Sequence, residues 1–151
     1  MSKVRTLDYA GPAAVGDRPW VPSQLMAIGL LFGPVSAGVA AGVNFKRLGK
    51  PGLLGACVAV GVVVFAVMAV LVGFVLEDKA IRPVALLMNV STGTGFLLAQ
   101  KPTFDAWKAR HFPGSAKYRP SRIGLLFGIG LACAAAQVGV LFAMLAVAGR
   151  V

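Results

Sequence analysis

Residues 53–76 read LLGACVAVGVVVFAVMAVLVGFVL, an apolar run without one charged side chain. About 20 helical residues cross a hydrocarbon core of about 30 Å, so a run of this length reads as a transmembrane helix. It shows no strand-like alternation, and in lipid only helices or closed barrels satisfy their own backbone. Working outward, three further apolar runs appear, at about 22–43, 83–100 and 123–149. The sequence therefore predicts an all-α fold, an integral membrane bundle of four transmembrane helices. A polar tail at 1–21 precedes it, and a basic loop at 101–122 leads into the last helix.

Composition points the same way. Of 151 residues, 58% are hydrophobic and 13% charged, whereas soluble domains are about half apolar and about a quarter charged. A water-soluble chain this apolar lacks the polar surface to cover a core; a lipid-facing one needs none. The tail holds Asp8, Asp17 and Arg18 but no apolar stretch, so it is not expected to be a signal peptide.

The net charge is +10. Its basic residues lie in short segments between apolar runs. That pattern fits a topology signal and anionic headgroups at the basic loops, and it excludes nucleic acid, for which no basic stripe with interleaved aromatics exists. With four spans, nine Lys and Arg fall in the connections 44–52 and 101–122, and six (Lys3, Arg5, Arg18, Lys79, Arg82, Arg150) fall on the other side. The expectation is that both loops are cytoplasmic and both termini outside. Within the second loop, TFDAWKARHF at 103–112 reads either as a short interfacial helix or as an irregular loop with anchoring aromatics. Gly49 in NFKRLGKPG, residues 44–52, is a helix stop.

No Asp, Glu, His, Lys or Arg lies well inside any run. Intramembrane ionisable groups are the mark of proton-coupled transport, and acid/base chemistry needs them too, so both are disfavoured. Cys57 and Cys133 sit in apolar runs as small packing residues, and His111 stands without metal-ligand companions. No phosphate loop, nucleophile elbow or zinc spacing occurs. No catalytic residue, cofactor or metal is expected.

Two features remain. The third run contains NVSTGTG, bringing Asn89, Ser91, Thr92 and Thr94 together, with Gln137 of the fourth run as an expected bonding partner. Such a cluster lines a solute path or makes interhelical hydrogen bonds. Asn89 and Thr92 are expected to face the bundle. The second feature is a pair of small-residue rows at i+4 spacing: Gly29, Gly33, Ala37 and Ala41 in the first run, and Gly124, Gly128, Ala132 and Ala136 in the fourth. Rows of this kind let helix backbones approach closely. The rows overlap a repeat, IGLLFG at 28–33 and again at 123–128, which is either duplication or convergence on one composition. In a four-span bundle the first and last helices run in opposite directions. Pro34 is expected to kink the first helix near Leu30, and Asn44 to cap a helix end or lie at the interface.

Residues 32–52, FGPVSAGVAAGVNFKRLGKPG, resemble the opening hairpin of a family of small bacterial four-helix integral membrane proteins of uncharacterised function. Gly33, Pro34, Gly38, Asn44, Phe45, Arg47, Leu48, Gly49 and Pro51 carry the likeness, and a looser one runs from His111 through Gly114 and Ser121 to Gly124. The resemblance implies a bacterial four-helix membrane protein and carries over no activity; the expected location is the bacterial inner membrane, as a multi-pass protein. The expected function is non-enzymatic, through contacts: an accessory subunit or a small scaffold, with a homo-oligomer or another membrane protein as partner. The alternatives are a small oligomeric channel or uniporter using the Asn89–Thr94 cluster, and a lipid-binding or membrane-stress protein using the basic loops.

Overall fold

The computed structural model describes residues 18–112, 118, 120, 123–147 and 149. They form five helices: α1 (Pro22–Phe32), α2 (Pro34–Arg47), α3 (Leu53–Val70, extended by a π-helical turn Leu71–Val75), α4 (Asp78–His111) and α5 (Ile123–Val147). No strand occurs among the described residues.

The first apolar run is not one helix. Pro34 has no N–H, and its ring collides with the carbonyl four residues back in a continuous helix. The chain therefore stops at Phe32 and restarts with Pro34 at the first helical position, where proline is well placed. Between them Gly33 adopts φ 87°, ψ 179°, a backbone region essentially reserved for glycine. The outcome is a turn rather than the expected kink near Leu30. α2 folds back along α1, bringing Ala37 beside Gly29 and Asn44 beside Trp20. At about 1.5 Å per residue, the 11 and 14 residues of the two arms reach about 16 and 21 Å. The expected first span is thus replaced by a short helical hairpin. Its base is marked by Trp20 and Asn44, its tip by Gly33 and Pro34.

α2 ends as the sequence suggests. Gly49 takes φ 81°, its N–H donates to Lys46 O, and Lys50 N–H donates to Phe45 O. These are the two bonds of a Schellman stop.

Among the described residues, three helices are long and apolar enough to cross a membrane: Leu53–Val75, Lys79–His111 and Ile123–Val147. They pack mainly on the hairpin and little on one another. α2 meets α3 backbone to backbone. A methyl group at Gly38 would lie 2.5 Å from Cys57 O, and one at Gly61 would lie 2.5 Å from Pro34 O. α1 meets α4 at Gly29 and Gly93 in the same way, a methyl on Gly29 falling 3.0 Å from Gly93 Cα. One side of the hairpin buries Leu25, Ile28 and Ala40 with Leu126 of α5; the other buries Ala37, Ala41 and Phe45 with Cys57 of α3 and Phe96 and Phe104 of α4.

α4 also departs from expectation. Its 34 residues pass through Pro102 and run on to His111, about 50 Å in all. The first eleven residues of the 101–122 segment are therefore a rigid continuation of the third apolar helix, neither a separate interfacial helix nor an irregular loop. Leu126 of α5 packs near the hairpin base and Gln137 near its tip. α5 thus runs in the same sense as α1, not opposite to it.

Candidate functional site

Breaking the helix at Gly33 strands backbone groups inside the protein, and buried polar groups need partners. A continuous helix would join Val35 N–H to Leu31 O and Ser36 N–H to Phe32 O. At the break, the side-chain amide of Gln137 takes over both roles. Its Nε2 donates to Phe32 O at 2.8 Å, and its Oε1 accepts from Val35 N–H at 3.3 Å. The same Nε2 lies 3.3 Å from Ser36 Oγ and 3.2 Å from Cys133 O. Ser36 Oγ donates to Phe32 O at 2.8 Å. Only a side chain with both a donor and an acceptor can stand in for a peptide group in this way. Gln137 therefore partners the hairpin tip and not the Asn89 cluster assigned to it from sequence.

A second network closes the hairpin base. Asn44 Oδ1 accepts from Trp20 N–H at 2.6 Å, while Asn44 Nδ2 donates to Trp20 O at 3.1 Å and to Gln100 Oε1 at 2.7 Å. Gln100 Nε2 donates onward to Ala41 O at 3.0 Å. Asn44 and Gln100 are both fully buried. Asn44 is thus the centre of a network tying α2, α4 and the segment before α1, rather than a cap. The Arg47 guanidinium lies 3.9 Å from the centre of the Trp20 ring and donates to Arg18 O at 3.2 Å. Tyr118 donates its phenol proton to Pro19 O. Burial pushes that phenol up to about 12, against the opposing pull of Arg18 and Arg47.

The polar cluster of α4 divides. Asn89 lines a cleft of about 210 Å³ beneath the hairpin tip, with Gly33, Pro34 and Gln137 on its wall. Its Oδ1 is buried without a hydrogen-bond partner among the described residues. Ser91 and Thr92 line a different, apolar groove between α3 and α4, and Thr92 Oγ1 donates back to Met88 O at 2.7 Å. Thr94 is half-buried and lines neither space.

The two small-residue rows also part company. Gly29, Gly33, Ala37 and Ala41 are all buried in the hairpin. Gly124, Gly128, Ala132 and Ala136 are all exposed. A methyl on Gly124 or Gly128 would meet no described atom within 4 Å, because α5 docks through Leu126, Gly130 and Gln137 instead. The tightest crossing uses residues outside both rows, Gly38 and Gly42 against Cys57, Gly61 and Leu54. The signal for them is present in the sequence as the pair Gly38-x-x-x-Gly42.

No group of His, Cys, Asp and Glu able to hold a metal ion occurs among the described residues. No protein-family model, no curated protein and no solved structure matches the chain.

Proposed function

We propose that this chain is an integral membrane protein of the bacterial cytoplasmic membrane. It has three spans and one re-entrant hairpin, and it acts through helix contacts as an accessory subunit or small scaffold. Large apolar side chains on the outer faces, such as Val63, Leu87, Leu131 and Phe142 at 61–66% exposed, support a lipid setting. The hairpin supports a specific orientation. It returns the chain to the side it came from, so the N-terminal tail joins the connections 44–52 and 101–122. Twelve of the fifteen Lys and Arg then share one side, against Lys79, Arg82 and Arg150 on the other. This is a far stronger positive-inside bias than nine against six, and it moves the N-terminus from outside to the cytoplasm.

The observation that carries the contact reading is the exposed α5 row. Four small residues at i+4 spacing are exposed, and a methyl on Gly124 or Gly128 would meet no described atom within 4 Å. Helices in lipid associate through surfaces of this kind, whether with a second copy or with another membrane protein. The test is cross-linking in native membranes through Gly128→Cys, paired with purification of Gly128→Leu. The expected result is a discrete cross-linked species, and loss of the associated protein or oligomer on placing leucine there. Only monomer from the cysteine variant, with unchanged recovery of the leucine variant, would overturn the reading.

A second reading, a small channel or uniporter, draws on the unpartnered Asn89 Oδ1 in the tip cleft. Separation of Asn89 from Ser91 and Thr92 weakens it. Ion and small-solute leak from liposomes holding wild type or Asn89→Leu decides this alternative.

A further inference from the structure

We infer that the basic end carries a binding pocket for the phosphodiester headgroup of an anionic phospholipid. It is formed between the α2–α3 connection and the projecting end of α4. This rests on the membrane reading above and adds a defined partner to it.

The pocket holds about 350 Å³ and is lined by Leu48, Lys50, Pro102, Thr103, Trp107, Arg110 and their neighbours. That volume is at the lower end of ordinary small-molecule sites, roughly 300–1,000 Å³. Lys50 Nζ stands 3.5 Å from Thr103 Oγ1, and Arg110 lines the same pocket. All three donate hydrogen bonds, and a phosphate accepts them. Among the described residues no acidic side chain lines the pocket. The nearby carboxylate of Asp105 is already engaged by Lys101 at 2.9 Å. Two cations without a counter-charge suit a headgroup of net negative charge. A zwitterionic headgroup would bring its own ammonium into the same positive field.

Depth agrees with chemistry. Residues 83–100 of α4 rise about 27 Å, close to the thickness of the hydrocarbon core. The buried Gln100 is then the last membrane-level residue, and Lys101 begins the headgroup layer. Thr103 to Arg110 occupy the next dozen ångströms or so, where lipid phosphates lie. Trp107 stands in the pocket with His111 stacked on it at 4.5 Å between ring centres, an amphipathic wall of the kind found at headgroup level. The continuation of α4 past residue 100 brings Arg110 to the same pocket as Lys50.

Native mass spectrometry of the full chain released from mixed phosphatidylglycerol and phosphatidylcholine vesicles reads the site. Wild type is expected to retain phosphatidylglycerol in preference to phosphatidylcholine. Lys50→Ala with Arg110→Ala should lower that preference by about 25-fold, about fivefold for each cation near a charged surface. Lys79→Ala with Arg82→Ala, at the opposite end, should leave it unchanged. Equal retention by the Lys50/Arg110 variant and wild type would overturn the proposal. So would displacement of the retained lipid by inorganic phosphate alone, which would assign the pocket to a soluble anion. Carbonate extraction of the same membranes separates the two claims. Release of wild type refutes the membrane reading and the lipid site together; firm insertion with unselective lipid retention refutes the site alone.

Discussion

The hexapeptide IGLLFG occurs twice, at 28–33 and 123–128, and the two copies fold differently. In the first, Ile28 is 1% exposed and the final glycine turns the chain back. In the second, Ile123 is 49% exposed and the final glycine is an ordinary residue of a 25-residue helix. The copies touch through their phenylalanines, Phe32 and Phe127, edge to face at 5.7 Å. What separates them is the next residue. Pro34 follows the first copy and Ile129 the second. The helix breaks where Pro34 lacks an N–H and Gly33 turns the chain, and the resulting hairpin is the hub on which the other three helices pack. Local sequence sets what a segment is able to do; its neighbour in the chain, and a glutamine about a hundred residues away, decide what it does.

The sharpest way to break this comparison is to place the same side chain at the same position of each copy. Gly33→Leu puts a side chain where φ is 87° and where its Cβ would lie 2.9 Å from Gln137 Oε1. Strain of about 1–3 kcal/mol and overpacking of about 1–3 kcal/mol add to a loss of about 3 kcal/mol or more. Gly128→Leu should change monomer stability by less than about 0.5 kcal/mol, since it touches nothing described. Unfolding in mixed micelles measures both. Equal losses would mean that the first copy is not a hairpin turn.

Next in size is the base of the hairpin. Asn44→Leu strips partners from the buried Trp20 N–H, from Trp20 O and from Gln100 Oε1. A loss of about 3 kcal/mol is expected, three unsatisfied groups at about 1–3 kcal/mol each, reduced by local rearrangement. Gln137→Leu at the tip should cost about 2 kcal/mol, because Phe32 O keeps its bond from Ser36 Oγ. A neutral outcome for either, by the same unfolding assay, would show that the broken backbone finds water or another partner.

These positions also mark how far the sequence could be read. The long apolar helix over Leu53–Val75 needed only length and apolarity. The stop at Gly49 needed only a glycine ahead of a Lys-Pro-Gly turn. Pro34 announced a break, but a proline does not say whether the following segment continues or turns back. That depends on glycine crossings with α3 and α4 and on Gln137, all remote in sequence. The α5 row was legible as small residues, yet its direction was not, because apart from Gln137 the helix is apolar on all sides and gives little hint of which face is inward. Apolarity stops at residue 100, which predicts the end of the third run there. Instead the helix continues through Pro102, with Phe104 buried against the hairpin base and Trp107 packed beside it.

The smallest effect concerns the strap before α1. Tyr118→Phe removes the bond to Pro19 O and should cost about 1 kcal/mol. The same bond gives the strap a pH dependence. The phenol of the folded protein is pushed up to about 12 from an ordinary value of 10.0, so the folded state favours the neutral form. Its contribution is complete below pH 10 and is lost as the pH rises through about 12. Proteolysis or hydrogen exchange at Trp20 between these limits should show the strap loosening in wild type, and Tyr118→Phe should abolish that dependence.

Everything turns on the chain re-emerging on the side it entered. With Cys57 and Cys133 replaced by alanine, single cysteines at Arg18, Lys50 and Lys79 can be labelled with a membrane-impermeant maleimide in intact and in everted membranes. A re-entrant hairpin makes Arg18→Cys and Lys50→Cys react from the same face, and Lys79→Cys from the opposite one. Labelling of Arg18→Cys together with Lys79→Cys, against Lys50→Cys, would instead mean that the first apolar run crosses the membrane, and would contradict the fold-back at Gly33.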